Sequence, residues 1–302
     1  MGLRFVLNQI VVFFFLFISI HSTINAQELH LNESNDSIAK SITFFASFDN
    51  GFDADYSEGD STLYIASSWS DRVNFEPFDR QTDHLTILQG EGRYNHALRI
   101  NNGYSPVYFY RGEQNMPYLT QNWSGTVSFW LKLDPTEDLA PGYSDPIQLT
   151  TRSWNDGALY VDFTNEEPRR FRFAFFPDRN IWDPQKREWD EVPVNEWPMV
   201  VADGLPFSRD HWTFIAFSFR NFNTGIADSV VDCYINGEYV GSLTQIEQTI
   251  TWQPDEIAIW LGYNFRGLFD ELTIFNRNLT DEEIKKIFSL EKGISTILSS
   301  AP

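Results

Sequence analysis

The 302 residues are 42% hydrophobic and 16% aromatic, with 27 Phe and 10 Trp. This composition excludes an intrinsically disordered chain and suits one large domain with a sizeable core. The formal net charge of −20, without a basic cluster, predicts an acidic surface that repels phosphate backbones, so we expect no nucleic-acid partner.

The N-terminal residues predict export. Arg4 gives a positive start, residues 10–20 (IVVFFFLFISI) form an apolar run, and a short polar segment leads to Ala26. This order is typical of a secretory signal peptide in residues 1–26, cleaved near Ala26. The run is too short to span about 30 Å of hydrocarbon. We therefore expect a secreted protein, extracellular or periplasmic, with no membrane span in the mature chain.

The polar residues 27–41 predict a linker, residues 42–291 a single folded domain, and residues 292–302 a tail. Cys233 is the only cysteine, so an exported form has no internal disulfide. It alternates with Val231 and Ile235, which predicts a buried and unreactive thiol.

The domain is predicted to be all-β. Short runs rich in β-branched and aromatic residues recur between turn residues, and we predict strands at 43–48, 97–100, 107–110, 125–133, 158–163, 170–176, 212–219, 230–235, 238–243, 257–262 and 268–275. Strands without interleaved helices indicate a two-sheet antiparallel β-sandwich.

Local patterns support this assignment. Residues 125–133 alternate, which predicts Val127, Phe129, Leu131 and Leu133 in the core and a mostly wet opposite face. Residues 236–237 (Asn-Gly) predict a type I′ hairpin turn. One short C-terminal helix is predicted after Thr280, which forms a capping box with Glu283.

The closing third resembles laminin G-like domains of the concanavalin A-like lectin/glucanase superfamily. The resemblance is carried by residues 211–219 (HWTFIAFSF), 232–243 (DCYINGEYVGSL) and 261–288 (LGYNFRGLFDELTIFNRNLTDEEIKKIF). The opening half is similar less tightly, at residues 45–50, 92–100 and 125–133. The resemblance implies a concanavalin A-like jelly roll over roughly residues 43–290, interrupted by an insertion at about 177–206. Members include lectin-like, glycan-binding and protein-binding domains and some glycoside hydrolases.

The resemblance also implies a structural calcium site. It places Asp49, after the first strand, beside Asp270 in the last, where related folds often hold calcium. The loop after Asp49 adds Asp53 and Asp55, and calcium takes six to eight oxygen ligands. Alternatively, Asp270 caps backbone amides or pairs with Arg277, and the loop is a solvated acidic turn.

Loop tryptophans predict glycan binding, because sugars stack on exposed aromatic faces and are bound by nearby polar side chains. The candidate ligand-binding residues are Trp154, Asn155, Trp182 and Trp189. The last two lie in the insertion, and a long insertion with its own aromatic residues is typical of an ordered functional loop. The alternative for each tryptophan is a core position.

No catalytic residues are predicted. Laminarinase-type glycosidases of this fold carry Glu-x-Asp-x-(x)-Glu on one strand. Only residues 188–191 (EWDE) are similar, but the spacing of the third carboxylate is wrong for one strand face and Pro193 would interrupt the strand. We therefore expect a secreted, non-catalytic recognition domain that binds carbohydrate. A polysaccharide-active enzyme and a domain that binds an extracellular protein, or is purely structural, are the alternatives.

Overall fold

The computed structural model describes residues 34–202, 204 and 206–299. The predicted signal peptide and the linker residues 27–33 lie outside this range. The described residues divide into a large unit, 41–295, and a small unit made of 34–40 and 296–299. In the small unit, residues 34–39 of the expected linker form a helix, α1. None of the helices described is both long and apolar enough to cross a membrane.

Within the described residues the chain forms seventeen strands: β1 (Ile42–Ala46), β2 (Tyr56–Ser57), β3 (Leu63–Ala66), β4 (Phe75–Pro77), β5 (Leu85–Leu88), β6 (Ala97–Asn101), β7 (Val107–Arg111), β8 (Trp123–Lys132), β9 (Ser144–Thr150), β10 (Ala158–Phe163), β11 (Phe171–Phe176), β12 (Met199–Ala202), β13 (Thr213–Phe222), β14 (Val230–Ile235), β15 (Glu238–Thr244), β16 (Ala258–Tyr263) and β17 (Arg266–Phe275). The other helices are α2 (Arg179–Trp182), α3 (Asp281–Phe288) and α4 (Ser295–Leu298).

These strands form two antiparallel sheets, which confirms the predicted sandwich. In the part of the chain that is described, the nine-stranded sheet has the order β15-β14-β13-β8-β17-β1-β2, with β6 also paired to β17 and β5 to β6. The eight-stranded sheet has the order β12-β11-β10-β9-β16-β7-β3-β4. Non-consecutive neighbours in both sheets are typical of a jelly roll.

The core lies between the inner faces of the two sheets. Val127, Phe129, Leu131 and Leu133 all belong to it, as the alternation of β8 predicts. Phe129 stacks on Phe269 of the neighbouring strand with ring centroids 5.0 Å apart. Cys233 is also buried in this core, as predicted, and burial raises the pKa of its thiol well above the usual value, which disfavours the reactive thiolate.

The prediction of a mostly wet opposite face for β8 is wrong. Thr126 and Ser128 are buried, and the Thr126 hydroxyl donates to the main-chain oxygen of Arg277 at 2.9 Å. Trp130 is buried too, with its ring 5.7 Å from that of Phe288 in α3. The segment that follows β17 covers this face, and strand alternation alone does not reveal such a cover.

Two local predictions are confirmed. Asn236 and Gly237 both have positive φ, 52° and 75°, as a type I′ turn requires. Helix α3 begins after Thr280, whose side chain accepts a hydrogen bond from the Glu283 amide in a capping box.

The described residues of the insertion at 177–206 contain regular structure. It includes α2, two 3-10 turns (Trp189–Glu191 and Val194–Glu196) and the edge strand β12. Trp182, Trp189 and Met199 pack against the outer face of the eight-stranded sheet, where Tyr160 and Phe176 are buried. The insertion therefore covers part of the outer face of the eight-stranded sheet.

Candidate functional site

The outer face of the eight-stranded sheet carries two aromatic clusters separated by polar residues of β9. One cluster, on β3, β7 and β16, includes Phe109 and Trp260 with Trp69 and Tyr263 packed against them. The other, on β10, β11 and β12, includes Tyr160 and Phe176, with Trp182, Trp189 and Met199 packed against them. The inner residues of the same strands, such as Leu149 and Val161, lie in the core, so alternation forces these side chains outward.

The two clusters enclose a cleft of about 430 Å³. We call it the cleft, and its lining residues are Trp69, Tyr104, Tyr143, Asp145, Gln148, Ser153, Trp154, Tyr160, Asp162, Arg172, Trp189 and Tyr263. A concave site of this size with mainly aromatic walls and a few convergent polar groups is typical of a small-molecule or glycan pocket.

The floor of the cleft is built by cross-strand register. Tyr160 of β10 and Gln148 of β9 are direct partners on adjacent strands, and Gln148 is also the partner of Trp260 in β16, beside the cleft. In the next row, Arg172 of β11 is the partner of Asp162 in β10. Because neighbouring strands fix these positions, the floor is preorganised by the sheet and does not depend on loops.

Arg172 and Asp162 form a buried, bidentate ion pair. The Arg172 Nε donates to Asp162 Oδ1 at 2.8 Å, and its Nη2 donates to Oδ2. The guanidinium also lies 5.0 Å from the ring centre of Tyr143 and 5.7 Å from that of Trp197. Fixed on both sides, this pair is a rigid element of the floor.

Asp145 is a buried carboxyl group without an ion-pair or hydrogen-bond partner for its side chain among the described residues. It lies in β9 opposite Tyr263, where the pairing of β9 with β10 shifts register. Burial, followed by the negative charge of Asp162, raises the pKa of Asp145 well above 3.8. A carboxyl group that lines a cleft without a protein partner is a candidate ligand contact.

Two further polar groups of this face have no partner within the described part of the chain. The Nε2 of Gln148, a residue 3% exposed, and the indole Nε1 of Trp260 are both buried without an acceptor. Buried donors are normally satisfied, because an unmade hydrogen bond costs about 1–3 kcal/mol. Gln148 lines the cleft, but its Nε2 has almost no accessible surface, so the side chain has to turn before that donor can meet a ligand oxygen.

The sequence of residues 101–285 matches the family described as the concanavalin A-like lectin/glucanases superfamily. This match covers more than half of the chain. The chain belongs to that superfamily. No protein of curated function matches it in sequence.

The fold is similar to that of several solved structures. Domain 4 of a GH43 extracellular arabinanase from Geobacillus stearothermophilus, in complex with arabinotriose, has 17% identity and a TM-score of 0.51, over 82% of this chain and 97% of that domain. The binding domain of Paraclostridial Mosquitocidal Protein 1 has 14% identity and a TM-score of 0.52, over 83% of this chain and 52% of its own. The receptor binding domain of botulinum neurotoxin D has 15% identity and a TM-score of 0.53, over 83% and 53%. The chain thus spans about half of the two toxin domains, and these identities show the fold alone.

The four ligand-binding residues predicted from the sequence take two different positions in this lectin/glucanase fold. Trp154, which is 37% exposed, and Trp189 line the cleft, with ring centroids 4.8 Å apart. Trp182 and Asn155 lie behind them, where the Trp182 indole donates to the Asn155 carbonyl oxygen at 2.9 Å. The structure therefore brings the first two to the cleft and gives the other two a supporting position.

The floor residues Asp145, Gln148, Asp162 and Arg172 are absent from the sequence prediction. The sequence contains one sign of these floor residues. Asp162 and Arg172 interrupt the apolar runs ALYVDF and FRFAFF at positions that strand alternation turns away from the core. A charged residue at such a position is ordinarily solvated, however, and the cover that buries these two comes from distant segments.

Of the predicted calcium ligands, Asp270 lies in the interior strand β17 and the other three lie between β1 and β2. Their carboxylates mostly accept hydrogen bonds from backbone amides. The acceptor–donor pairs are Asp49 Oδ1 with His96 N (2.8 Å), Asp53 Oδ1 with Leu63 N (3.0 Å), Asp55 Oδ2 with Ser47 N (2.7 Å), and Asp270 Oδ2 and Oδ1 with Arg93 N (2.6 Å) and Glu271 N (2.8 Å). The alternative role for Asp270, capping backbone amides, is what the structure shows, and Arg277 pairs with Glu283.

This region is nevertheless unusually acidic. Burial, and then the nearby Asp49 and Asp55, raise the pKa of Glu271 to about 8, and burial also raises that of Asp270. Across the residues that the structure places, no three Asp, Glu, His or Cys side chains form a group that could hold a metal ion. Calcium binding near Asp49 and Asp270 stays a prediction.

The acidic run at 188–191 does not form a catalytic strand. It lies in a 3-10 turn in which Glu188 and Glu191 cap each other's backbone amides. Its carboxylates therefore have a local structural role.

Proposed function

We propose that this domain binds carbohydrate in the cleft on the outer face of the eight-stranded sheet. The observation that carries the proposal is the combination of aromatic walls on both sides with unpartnered polar groups on the floor. Trp154 and Trp189 offer ring faces and edges for the C–H surface of a sugar. Gln148 and Asp145 offer a donor and a carboxyl group for its hydroxyls.

Two features of the cleft suit recognition. The floor is held by sheet register and by the Asp162–Arg172 pair, so little conformational entropy is lost on binding. Large aromatic side chains with few rotatable bonds make up most of the walls. The arabinotriose in the similar arabinanase domain and the receptor-binding role of the neurotoxin domain fit a carbohydrate or receptor partner.

We expect Trp154→Ala and Trp189→Ala each to weaken glycan binding by about tenfold, or about 1.4 kcal/mol. Each change removes a ring that lines the cleft but leaves the floor in place. The measurement is retardation in native gels that contain soluble arabinan, galactan, glucan or mannan.

The matched control is Tyr239→Ala, which removes a 53% exposed ring from β15 of the other sheet and should leave retardation unchanged. Wild-type binding that persists in both tryptophan variants would contradict the cleft as the binding site. Absence of wild-type binding to every glycan would favour the alternative of a protein partner.

Glycoside hydrolysis is the second candidate, and one observation favours it: Asp145 and Asp162 enter the same cleft from adjacent strands. Glycosidases pair a carboxylic acid of raised pKa with an ionised carboxylate. Both oxygens of Asp162, however, already accept hydrogen bonds from Arg172, which favours binding over catalysis. Release of reducing ends from a retained polysaccharide, lost in an Asp145→Asn variant, would support hydrolysis instead.

Secretion belongs to the same proposal. It is supported by the apolar run that ends before Ala26 and by a fold shared with an extracellular arabinanase domain. Recovery of mature protein outside the cytoplasm, beginning near residue 27, is the expected result. Protein that keeps residues 1–26 and stays inside the cell would contradict it.

Calcium binding near Asp49 and Asp270 can be tested by metal removal. If an ion is bound there, the thermal midpoint should be several degrees higher in excess calcium than in a chelator, because a ligand of the native state stabilises it. Equal midpoints in the two buffers would remove the calcium prediction and leave backbone capping as the role of these carboxylates.

A further inference from the structure

We infer that the cleft selects neutral sugars and rejects sugars that carry a carboxylate, such as uronic acids. This inference rests on the proposed carbohydrate-binding function and names its ligand class. It follows from how the charges of the cleft are already used.

The one cation that lines the cleft is neutralised by the protein itself. Of the twelve lining residues, Arg172 is the only Lys, Arg or His, and its Nε and Nη2 both donate to Asp162. The pair is buried, so a ligand that drew the guanidinium away would leave a buried carboxylate unpaired. Asp162 does not use the Nη1 nitrogen, but a ligand there would meet a guanidinium whose charge is already balanced.

The remaining charge of the cleft is zero or negative. Asp162 and Arg172 cancel, and Asp145 is either protonated or carries one further negative charge. A ligand carboxylate would therefore lose its hydration without meeting a free cation, and it would approach two aspartates. Burial of an unpaired charge and the approach of like charges are both unfavourable.

A cation beside the cleft, Arg72, is also engaged. The Arg72 guanidinium lies 5.6 Å from the ring centre of Trp69, and its two terminal nitrogens donate to the main-chain oxygens of Trp69 and Thr151. This arrangement ties the Trp69 loop to the end of β9. Its evident use is to hold the aromatic wall in place.

A neutral sugar finds suitable partners in the same place. The Asp145 carboxyl group can accept or donate according to its protonation, and the Gln148 amide becomes a donor to a hydroxyl oxygen when its side chain turns toward the cleft. Neither contact requires the Asp162–Arg172 pair to open. The floor thus offers partners to hydroxyl groups and no free cation to a carboxylate.

The test compares soluble galactan, glucan and mannan with the same polymers oxidised at C6 to uronates. Retardation is measured in 0.5 M salt, where a Debye length of about 4 Å screens repulsion by the net charge of −20. We expect at least tenfold weaker retardation by each oxidised polymer than by its neutral parent. Equal or stronger retardation by the oxidised form would overturn the inference and leave the proposed function intact. Failure to bind any polymer, in either form, would overturn both.

An Asp162→Asn variant sharpens the test, because it frees the Arg172 charge inside the cleft. We expect it to gain retardation by the oxidised polymers, by about tenfold over the wild type. The matched control is Asp232→Asn, which frees Arg220 from an exposed 3.0 Å ion pair on the other sheet. This variant should gain no retardation by the oxidised polymers. A folded Asp162→Asn protein that still rejects the oxidised polymers would contradict the role given to the paired arginine.

Discussion

Replacement of Arg172 by methionine is expected to destabilise the folded protein by about 3–5 kcal/mol, the usual cost of removing one partner of a buried ion pair. Methionine retains much of the apolar stem, so the loss is chiefly that of the positive charge. Asp162 would then lie buried without its two hydrogen bonds, beside the unpartnered carboxyl group of Asp145. Desolvation of these carboxylates would no longer be offset by the guanidinium.

Urea unfolding of the wild type and the variant measures this effect. Arg220→Met is the matched control, since Arg220 is 41% exposed in its pair with Asp232 and its loss should cost less than about 1 kcal/mol. The double variant Asp162→Leu, Arg172→Met should regain much of the lost stability, because no buried charge is left alone. An Arg172→Met protein within about 1 kcal/mol of wild type would show that the pair is hydrated in solution.

Asp145→Asn is expected to raise thermal stability, by an amount that grows with pH. Burial and the charge of Asp162 raise the pKa of Asp145 in the folded state above its ordinary value of 3.8. The stability linked to this group is therefore complete below about pH 4 and is lost as the pH rises through the folded-state pKa. Asparagine carries no such charge, so the variant escapes this loss.

The measurement is the difference in thermal midpoint between variant and wild type from pH 4 to pH 8. We expect almost no difference at pH 4 and a stabilisation of about 1–3 kcal/mol at pH 8. Asp79→Asn, at an exposed position, is the control and should show no trend. A constant difference across the range would mean that Asp145 does not titrate abnormally. If the variant also binds glycan less well, the carboxyl group is kept for function at a cost in stability.

Much of the fold could be predicted because its central strands alternate clearly, and each of the eleven predicted strands is present within a few residues of its predicted bounds. The failure to predict three of the other strands has a physical explanation. Strands β2 and β4 have two and three residues, too few to show a period. Strand β9 contains Pro146, which argues against a central strand, yet the proline lies where the register with β10 shifts and a ladder hydrogen bond is interrupted anyway.

The same irregularity explains why only part of the candidate site can be predicted from the sequence. Trp154 and Trp189 could be proposed from the sequence because aromatic residues in loops are conspicuous. Asp145 enters the cleft at the register shift in β9, and such shifts redirect side chains in ways that no periodic pattern predicts. Asp162 and Arg172 fit a solvated face equally well until the covering segments are known.

The tryptophan pairs at the two sides of the cleft should be detectable by circular dichroism. Trp69 and Trp260 lie 4.3 Å apart at one side, and Trp189 and Trp197 lie 4.3 Å apart at the other. Indole rings this close share their electronic transitions, so each pair should contribute an exciton couplet to the circular dichroism spectrum. A sugar that shifts either wall would change the sign or size of its couplet, and occupancy of the cleft could be followed on unlabelled protein.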